Sequence, residues 1–289
     1  MYSRAGYGDW DELLTAALAE DIGSGDITTR CCVSEDAVSA GTFRVREPGV
    51  ICGLGVAARV FGLLDGGVEF TPLVSDGDEV PGDTVIAEIR GPSRSILTGE
   101  RTALNLLQHL SGIATRTASS VRCVAGSGAR VTDTRKTAPG LRALEKYAVR
   151  CGGGSNHRFG LYDGVLIKDN HIAAAGGVAA AVALARRNAP HTLRIEVETE
   201  SIEQVAQALE SGADVIMLDN MTIEQMSEAV RLIAGRALTE ASGNMGDRDL
   251  ASVAATGVDM ISIGSLTHSA SAMDISLKFS NFRDTSHGI

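Results

Sequence analysis

Residues 193–219, LRIEVETESIEQVAQALESGADVIMLD, decide the fold class. The runs LRIEVE and DVIML are apolar and have the length of buried strands, and the segment between them repeats apolar residues at intervals of three and four, which predicts a helix. Two strands joined by a helix can pair in parallel, because a parallel pair needs a crossover connection. This stretch therefore predicts one unit of a parallel α/β fold.

The same alternation extends over residues 129–264. The other strand candidates are ARVTD, GVLIK, RALTE and DMISIG, and segments with helical periodicity follow the strands. Six such units are too few for an eight-stranded barrel. The pattern favours a partial α/β barrel or a doubly wound sheet.

The region before residue 128 has a different pattern. Residues 39–91 form short alternating runs between turn sequences such as EPG and PGD, which predicts a small antiparallel sheet. Thr98 is a candidate N-cap of a long helix with one apolar face. The other face carries a polar stripe, which by pattern alone is a solvated surface: Arg101, Asn105, His109, Gly112 and Arg116. We predict an N-terminal domain at 1–115, with the tail 270–289 packed back on it, and a barrel domain at 116–269.

Composition and charge exclude several classes of protein. The chain has 289 residues, of which 44% are hydrophobic and 21% charged, and this is typical of a soluble globular protein. A formal net charge of −10 argues against nucleic acid and anionic membranes as partners. No apolar run reaches the ~18 residues of a membrane span, and no signal sequence is evident. The five cysteines lack metal-ligand spacing, so we predict reduced thiols in a cytoplasmic protein.

Polar or glycine residues follow all six predicted strands. In parallel α/β folds, functional side chains gather at the carboxyl ends of the strands. Because the six ends share one register, they favour a single site. Its candidates are Thr134, Arg135 and Lys136; Lys168, Asp169, Asn170 and His171; Glu198; Asp219 and Asn220; Ser242, Gly243 and Asn244; and Gly264 and Ser265.

Positive charge is concentrated in one segment of this acidic chain. Residues 129–171 contain eight lysines and arginines against four acids, a net charge of +4. Arginine and lysine together suit a ligand with several anionic groups. The glycine-rich GGGSNHR at 152–158 allows a tight bend that presents His157 and Arg158. Helical spacing makes Arg142, Lys146 and Arg150 more typical of a solvated helix face.

Two glycine-bearing turns and two acids complete the predicted site. The sequences SGN at 242–244 and GS at 264–265 offer backbone N–H groups that suit a phosphate. Glu198 and Asp219 can bind a metal, accept hydrogen bonds from sugar hydroxyls, or neutralise the lysines. A phosphorylated sugar with a pyrophosphate leaving group would use all of these groups. A second polyanion would then face the arginines.

A long ordered set of motifs resembles one family. TDTRKTAPGLRALEKYAVRCGGGSNHRFGLYDGVLIKDNHI, followed by EVE, MLDN, EASGN and SIGSLTHS, closely resembles the nicotinate-nucleotide pyrophosphorylases, also called quinolinate phosphoribosyltransferases. The resemblance includes LLTAALAEDIGSGDITT and GERTALNLLQHLSGIAT, and so covers nearly the whole chain. It implies an N-terminal α/β sandwich joined to a six- or seven-stranded partial barrel, in a homodimer or a higher multiple such as a hexamer.

The resemblance also implies an activity and a role for each site residue. The reaction joins quinolinate to 5-phosphoribosyl-1-pyrophosphate, with Mg²⁺, and releases pyrophosphate, CO₂ and nicotinate mononucleotide for NAD biosynthesis. By motif, Arg101 enters the neighbouring subunit's pocket, and Arg135, Arg158 and Lys168, with His157 nearby, hold the two quinolinate carboxylates. Lys136 meets the donor phosphates, Glu198 and Asp219 meet the ribose and the metal, and the segments Ser242 to Asn244 and Ile263 to Ser265 bind the 5-phosphate. Lys136, Lys168, Glu198 and Asp219 are the catalytic candidates.

Three alternatives remain open on the sequence alone. A molybdenum-associated group shares the fold, although the arginine of ERTALN and the EASGN and SLTHS loops match the pyrophosphorylases better. An aldolase-like barrel would use Lys168 as a Schiff-base lysine. A non-catalytic module would bind a polyanion without turnover. Asn244 and Ser265 depart from residues that some pyrophosphorylases carry, yet both keep their backbone N–H groups.

Overall fold

The computed structural model describes residues 10–280, which divide into two compact units. The first unit contains residues 10–115, 143–152 and 270–280, and the second contains 116–142 and 153–269. The predicted domains, 1–115 with 270–289 and 116–269, differ from this division at residues 143–152. This segment belongs to the first unit because two of its side chains bond there: Tyr147 donates to Asp76 at 2.8 Å, and Glu145 pairs with His109 at 2.9 Å. Residues 1–9 and 281–289 of the predicted domains lie outside the described range.

Short strands and helices of varied length make up both units. Along the chain, the elements are α1 (Asp11–Ile22), α2 (Ile27–Cys32), β1 (Val38–Val45), β2 (Gly49–Val50), α3 (Leu54–Leu64), β3 (Glu69–Pro72), β4 (Glu79–Val80), β5 (Val85–Pro92), α4 (Ser93–Cys123), β6 (Arg130–Thr132), α5 (Arg142–Cys151), β7 (Val165–Ile167), α6 (Asp169–Ala175), α7 (Val178–Asn188), β8 (Ile195–Thr199), α8 (Ile202–Glu210), β9 (Val215–Asp219), α9 (Ile223–Ile233), β10 (Leu238–Ser242), α10 (Leu250–Ala255), β11 (Met260–Ser262), α11 (Ser265–His268) and β12 (Ile275–Phe279). None of the helices within residues 10–280 has both the length and the apolar character needed to cross a bilayer.

An antiparallel sheet of four strands organises the first unit. Its strand order is β12-β1-β5-β3, and β2 pairs separately with β4. The strand β12, near the end of the described chain, pairs antiparallel with β1 from Gly41↔Phe279 to Val45↔Ile275. Three aromatic rings fill the space between this sheet and α3: Phe43 lies 5.3 Å from Phe70 and 6.2 Å from Phe61 between ring centroids. The predicted antiparallel sheet is therefore present, together with a helix that the pattern did not indicate.

Six parallel strands organise the second unit, in the order β6-β11-β10-β9-β8-β7. From β7 to β11 each strand lies beside the next one in sequence, so the order does not reverse as it does in a doubly wound sheet. Among the described residues, the edge strands β6 and β7 do not pair with each other, which leaves the barrel open. The predicted fold class, an α/β sandwich with a partial parallel α/β barrel, is confirmed.

Two details of the predicted helices are wrong. Helix α4 begins at Ser93, directly after Pro92, so Thr98 lies inside the helix instead of capping it. The face with Lys146 is not solvated, because this side chain is 1% exposed on α5, and the residues beside it are also buried. Arg142 donates a hydrogen bond to the carbonyl of Phe159 at 3.1 Å, so its side chain also contacts the protein and is not simply solvated.

We expect opposite stability changes from two glycine-to-alanine substitutions in helices. A Cβ at Gly112 of α4 would lie 2.0 Å from the carbonyl oxygen of Ser271, so Gly112→Ala should lower the free energy of unfolding by about 1–3 kcal/mol. Gly62 of α3 has nothing within 4 Å, so Gly62→Ala should raise it by about 0.5–1 kcal/mol. Urea unfolding of both variants tests this, and equal effects would contradict it.

Candidate active site

Three acidic or polar candidates lie side by side on neighbouring strands. In the pairing of β9 with β10, Asp219 is opposite Ser242. In the pairing of β8 with β9, Glu198 is opposite Met217, two residues before Asp219. Each of these residues is at or next to the carboxyl end of its strand. The parallel register therefore brings the predicted acids to one edge of the sheet.

Lys168 and Glu198 form the central charge pair of this edge. Lys168 follows β7 directly, and its Nζ donates a hydrogen bond to the Glu198 carboxylate. The Glu198 side chain is only 13% exposed, whereas that of Lys168 is 44% exposed. A lysine beside a shielded carboxylate offers an anionic ligand a cation that is already oriented.

The arginines form the basic side of the site. Nη1 of Arg158 donates to the carbonyl of Gly164 at 2.9 Å, while its Nε is buried with no hydrogen-bond partner among the described residues. Burial and the neighbouring charge of Arg135 lower the pKa of Arg158. Arg142, which also donates to Thr137 at 3.0 Å, holds the chain that carries Arg135. Two arginines whose charges repel each other suit a ligand with more than one negative charge.

Two tight turns lie at the ends of β10 and β11. Gly243 has a φ of +94°, and a Cβ there would come within 2.3 Å of Asn220, so only glycine fits this approach. The side chain of Lys136 passes over Gly264, and Thr267 donates to the Lys136 carbonyl at 2.7 Å. The backbone N–H groups of Gly243 and Gly264 donate no hydrogen bond within residues 10–280.

An arginine outside the predicted site, Arg116, lies beside the turn that follows β11. Nη2 of Arg116 donates to the hydroxyl of Ser265 at 3.0 Å, and Nη1 donates to the carbonyl of Ser269 at 2.6 Å. Arg116 belonged to the polar stripe of α4 in the sequence. Of the other stripe residues, Arg101 and Asn105 lie exposed on α4 in the first unit, whereas Gly112 is buried and His109 pairs with Glu145, so the stripe is not solvated along its whole length.

A buried pair of acids that the sequence pattern did not indicate, Glu196 and Glu240, lies deeper in the second unit. His157 Nε2 is 3.1 Å from Glu196 Oε2 and 3.7 Å from Glu240 Oε2. Asp133, itself fully buried, accepts the backbone N–H of His157 at 2.9 Å. The signal was present in IEVE, where Glu196 alternates with Glu198 and so shares its face of β8.

The buried pair predicts a pH dependence of stability. Burial and the neighbouring Glu196 raise the pKa of Glu240 to about 7 from 4.5. The folded protein therefore keeps a proton that the unfolded chain releases, so stability should fall as pH rises from about 4.5 to about 7. The loss in the free energy of unfolding should be on the order of 3 kcal/mol.

A variant that cannot ionise at this position tests the assignment. In Glu240→Gln, urea unfolding at about pH 5 and about pH 8 should show a smaller loss of unfolding free energy with pH than in the wild type. The exposed Glu228→Gln is the control, and an unchanged pH slope in Glu240→Gln would contradict the assignment.

Taken together, the edge of the six-stranded sheet can hold two anionic molecules. Arg135, Arg158 and Lys168 offer cationic donors, and the turns at Gly243 and Gly264 offer backbone N–H groups. In the strand order, Glu198 on β8 and Asp219 on β9 lie between Lys168 after β7 and the turns after β10 and β11, and they offer carboxylate oxygens. The arrangement can orient an anionic acceptor beside a phosphorylated group and stabilise positive charge that develops between them.

Comparisons with known proteins give one consistent family. The models of the quinolinate phosphoribosyl transferase N-terminal and C-terminal domains match residues 26–111 and 113–278. A probable nicotinate-nucleotide pyrophosphorylase [carboxylating] of Bacillus subtilis is 47% identical over 266 residues, covering 92% of each chain. Quinolinate phosphoribosyltransferase [decarboxylating] 2 of Nicotiana glauca is 40% identical and covers 93% of this chain and 82% of its own. The solved nicotinate-nucleotide pyrophosphorylase of Francisella tularensis is 42% identical with a TM-score of 0.90, covering 93% of this chain and 95% of its own.

Proposed function

We infer, from the premise that this chain belongs to the quinolinate phosphoribosyl transferase family, that the carboxyl ends of β6 to β11 are where quinolinate meets its phosphoribosyl donor. The chain is a decarboxylating quinolinate phosphoribosyltransferase, a pentosyltransferase of NAD biosynthesis. This activity replaces the aldolase-like, molybdenum-associated and non-catalytic alternatives. The roles of the individual residues are our proposal.

The basic side of the site binds quinolinate in this proposal. Arg135, Arg158 and Lys168 pair with the two carboxylates, and His157 orients the loop that carries Arg158. The buried, unpaired Nε of Arg158 is the observation that supports this role, because a ligand carboxylate would supply the missing acceptor. Thr134, whose hydroxyl accepts the Lys136 N–H at 3.0 Å, shapes the turn beside the ligand.

The other side binds 5-phosphoribosyl-1-pyrophosphate. Ser242, Gly243 and Asn244, with Ile263, Gly264 and Ser265, surround the 5-phosphate with backbone N–H groups, and Arg116 adds a cation beside Ser265. Lys136, which lies over Gly264, meets the phosphates of the donor. The support for this half is that the turn at Gly264 and Ser265 lies against two cationic side chains, Lys136 and Arg116.

Glu198 and Asp219 meet the ribose and its metal ion in the same proposal. Carboxylate oxygens are the hard ligands that Mg²⁺ prefers, and the adjacent strands β8 and β9 bring both acids to the same edge, so the donor set fits this cofactor. When bound, Mg²⁺ supplies positive charge that neutralises the pyrophosphate.

The mechanism uses positioning and electrostatics. Departure of pyrophosphate leaves positive charge on the ribose ring, and the carboxylates of Glu198 and Asp219 stabilise it by about 3 kcal/mol each. The pyridine nitrogen attacks the ribose carbon, and the alkylated ring then accepts the electron pair left by the departing CO₂. The resulting ylide takes up a proton. Arg135, Arg158 and Lys168 hold the ring so that the nitrogen faces the ribose.

The observation that carries the proposal is the convergence of Lys168, Glu198 and Asp219 at the carboxyl ends of the neighbouring strands β7, β8 and β9. The direct test is to incubate the purified protein with quinolinate, 5-phosphoribosyl-1-pyrophosphate and Mg²⁺. We expect release of CO₂ and pyrophosphate in equal amounts, with formation of nicotinate mononucleotide. A folded protein that releases neither product would contradict the activity. Borohydride in the presence of substrate should trap no adduct at Lys168.

Assembly and location extend the proposal. We propose a homo-oligomer, dimer or hexamer, in which Arg101 enters the pocket of a neighbouring subunit. The exposed position of Arg101, which forms no ion pair with any described residue, supports this arrangement. We also propose a cytoplasmic location, supported by the five cysteines, all of which are free thiols.

A further inference from the structure

Asp133 is a buried acid that no step of the proposed mechanism uses. It follows β6 directly, precedes Thr134, and is fully shielded from solvent. A buried carboxyl group needs hydrogen-bond donors around it, because the loss of its hydration is otherwise costly. The donors that surround Asp133 therefore show which part of the chain it holds in place.

Both oxygens of Asp133 accept hydrogen bonds from the loop that carries Arg158. Oδ1 accepts the backbone N–H of His157 at 2.9 Å, and Oδ2 accepts a hydrogen bond from Nδ2 of Asn156 at 2.6 Å. Two bonds to one planar group fix the direction of the loop as well as its distance. Asp133 thus aligns the two residues that come immediately before Arg158.

The backbone of the same loop pairs with β6. The N–H of Ser155 donates to the carbonyl of Val131 at 2.8 Å, and the N–H of Asp133 donates to the carbonyl of Ser155 at 3.2 Å. This pairing is a single parallel bridge between Thr132 and Ser155. Beyond Ser155, the side chain of Asp133 therefore continues the attachment of the loop to the end of β6.

A second anchor holds the loop beside β7. Nη1 of Arg158 donates to the carbonyl of Gly164, the residue before β7, and Asp163 accepts the backbone N–H of Phe159 at 2.6 Å. Arg158 therefore lies between one anchor on β6 and one next to β7. Asp163 is exposed, so water can replace its bonds, whereas water cannot reach the bonds of the buried Asp133. The anchor on β6 is thus the one whose loss should move Arg158.

The turn that meets the donor phosphates is held by other bonds. The N–H of Lys136 donates to the hydroxyl of Thr134 at 3.0 Å, and the carbonyl of Lys136 accepts the hydroxyl of Thr267 at 2.7 Å. Neither bond involves the side chain of Asp133. A change of this side chain should therefore disturb the loop with Arg158 more than the turn with Lys136.

We propose that Asp133 is a positioning residue for quinolinate: it holds Asn156 and the backbone of His157, and so fixes the loop from which Arg158 pairs with a substrate carboxylate. This inference rests on the proposed function of the site. Asp133 is fully buried and acts only through the loop. Its effect should therefore fall on the binding of quinolinate and not on the binding of the phosphoribosyl donor.

An exchange of the two side chains tests the proposal through separate KM values. Asn156→Asp places two carboxylates within hydrogen-bond distance, where like charges repel. It should raise the KM for quinolinate about tenfold to a hundredfold and change the KM for the donor less than about twofold. Addition of Asp133→Asn should bring the KM for quinolinate back to within about fivefold of the wild type. The reason is that the new amide donates to the new carboxylate, while the amide oxygen still accepts the N–H of His157.

A truncation with a matched control separates positioning from stability. Asp133→Ala removes both acceptor oxygens and should also raise the KM for quinolinate at least about tenfold. The control is Asp259→Ala in the same unit. Asp259 precedes β11 at the amino ends of the strands, and it accepts the N–H and the hydroxyl of Thr239 at 2.7 and 2.8 Å. Its loss should lower the free energy of unfolding but leave both KM values within about twofold of the wild type.

The contrary outcomes are equally specific. Equal increases in both KM values, a double variant as impaired as Asn156→Asp, or an Asp133→Ala enzyme with wild-type KM values would overturn the positioning role and leave the activity standing. If one of these variants does not fold, Asn156→Ala decides, because it removes only one of the two bonds. It should raise the KM for quinolinate about fivefold, and an unchanged KM overturns the proposal.

Failure of the proposed function gives a different result. If the wild type binds quinolinate without turnover, the function fails, and calorimetric affinities of the same variants for quinolinate decide the positioning role. If the wild type neither binds nor converts quinolinate, both proposals are wrong.

Discussion

Arg101→Ala should abolish turnover while leaving the fold intact. An exposed arginine on α4 that forms no ion pair within the described residues contributes nothing measurable to stability, so the free energy of unfolding should stay within about 0.5 kcal/mol of the wild type. In the proposed oligomer, its guanidinium binds a quinolinate carboxylate in the neighbouring subunit. Loss of such a charged pair in a shielded pocket should lower kcat/KM by about a hundredfold or more.

Mixed oligomers give the sharpest version of this test. Arg158→Ala should also be inactive, but its defect lies in the pocket that receives the substrate. In a dimer of one Arg101→Ala and one Arg158→Ala subunit, one site has both arginines and the other has neither. Random mixing of equal amounts should therefore restore about a quarter of wild-type activity.

Two controls make the result interpretable. Arg231→Ala, on the exposed face of α9, removes an arginine of the same kind and should keep full activity. Verified mixed oligomers that stay inactive would show that Arg101 acts within its own subunit or not in the pocket at all.

Lys168→Met and Glu198→Gln should each lower kcat by about a hundredfold, and together by much less than the product of the two. The reason is that the two side chains form one hydrogen-bonded unit, in which the carboxylate holds the ammonium and the ammonium partly neutralises the carboxylate. Residues that act as a unit have non-additive effects on kcat. Steady-state kinetics of the two single variants and the double variant measure the coupling.

The size of the coupling decides between two roles of Glu198. A coupling below about 0.5 kcal/mol would mean that Lys168 and Glu198 work independently, and would contradict their assignment as one unit. The control is again Glu228→Gln, whose kcat should be unchanged. Thermal unfolding of all variants separates a catalytic loss from a folding defect.

The sequence predicted the second unit well because its strands and helices have distinct periods. The runs that became β6 to β11 are short and apolar, and the segments between them repeat at helical spacing. The pattern failed at α3, where LGVAARVFGLL has one charged residue and contains Gly55 and Gly62, so neither a strand nor a helix period stands out. The sequence pattern also did not predict α6, because the residues after Ile167 were interpreted only as the end of a strand.

The candidate residues at the carboxyl ends of the strands could be predicted from the sequence, whereas the buried acids within the strands could not. Side chains after a strand can be found by reading the residue that follows each apolar run, and this located Lys168, Glu198 and Asp219. Glu196 and Glu240 lie within strands, where an acid looks like an interruption of the apolar pattern. Both acids lie close to His157, which comes from a loop distant in sequence, and no local spacing encodes that partnership.

Pairing of β12 with β1 has a consequence for how the protein is made. The strand at Val38–Val45 leaves the ribosome early, yet its neighbour at Ile275–Phe279 is translated more than two hundred residues later. The strands of the parallel sheet are all synthesised in between, so the second unit can begin folding during translation, as domains generally do. During that interval, the backbone N–H and C=O groups on one side of β1 lack the strand with which they pair in the folded protein. The nascent first unit is thus the part of this chain most in need of a chaperone.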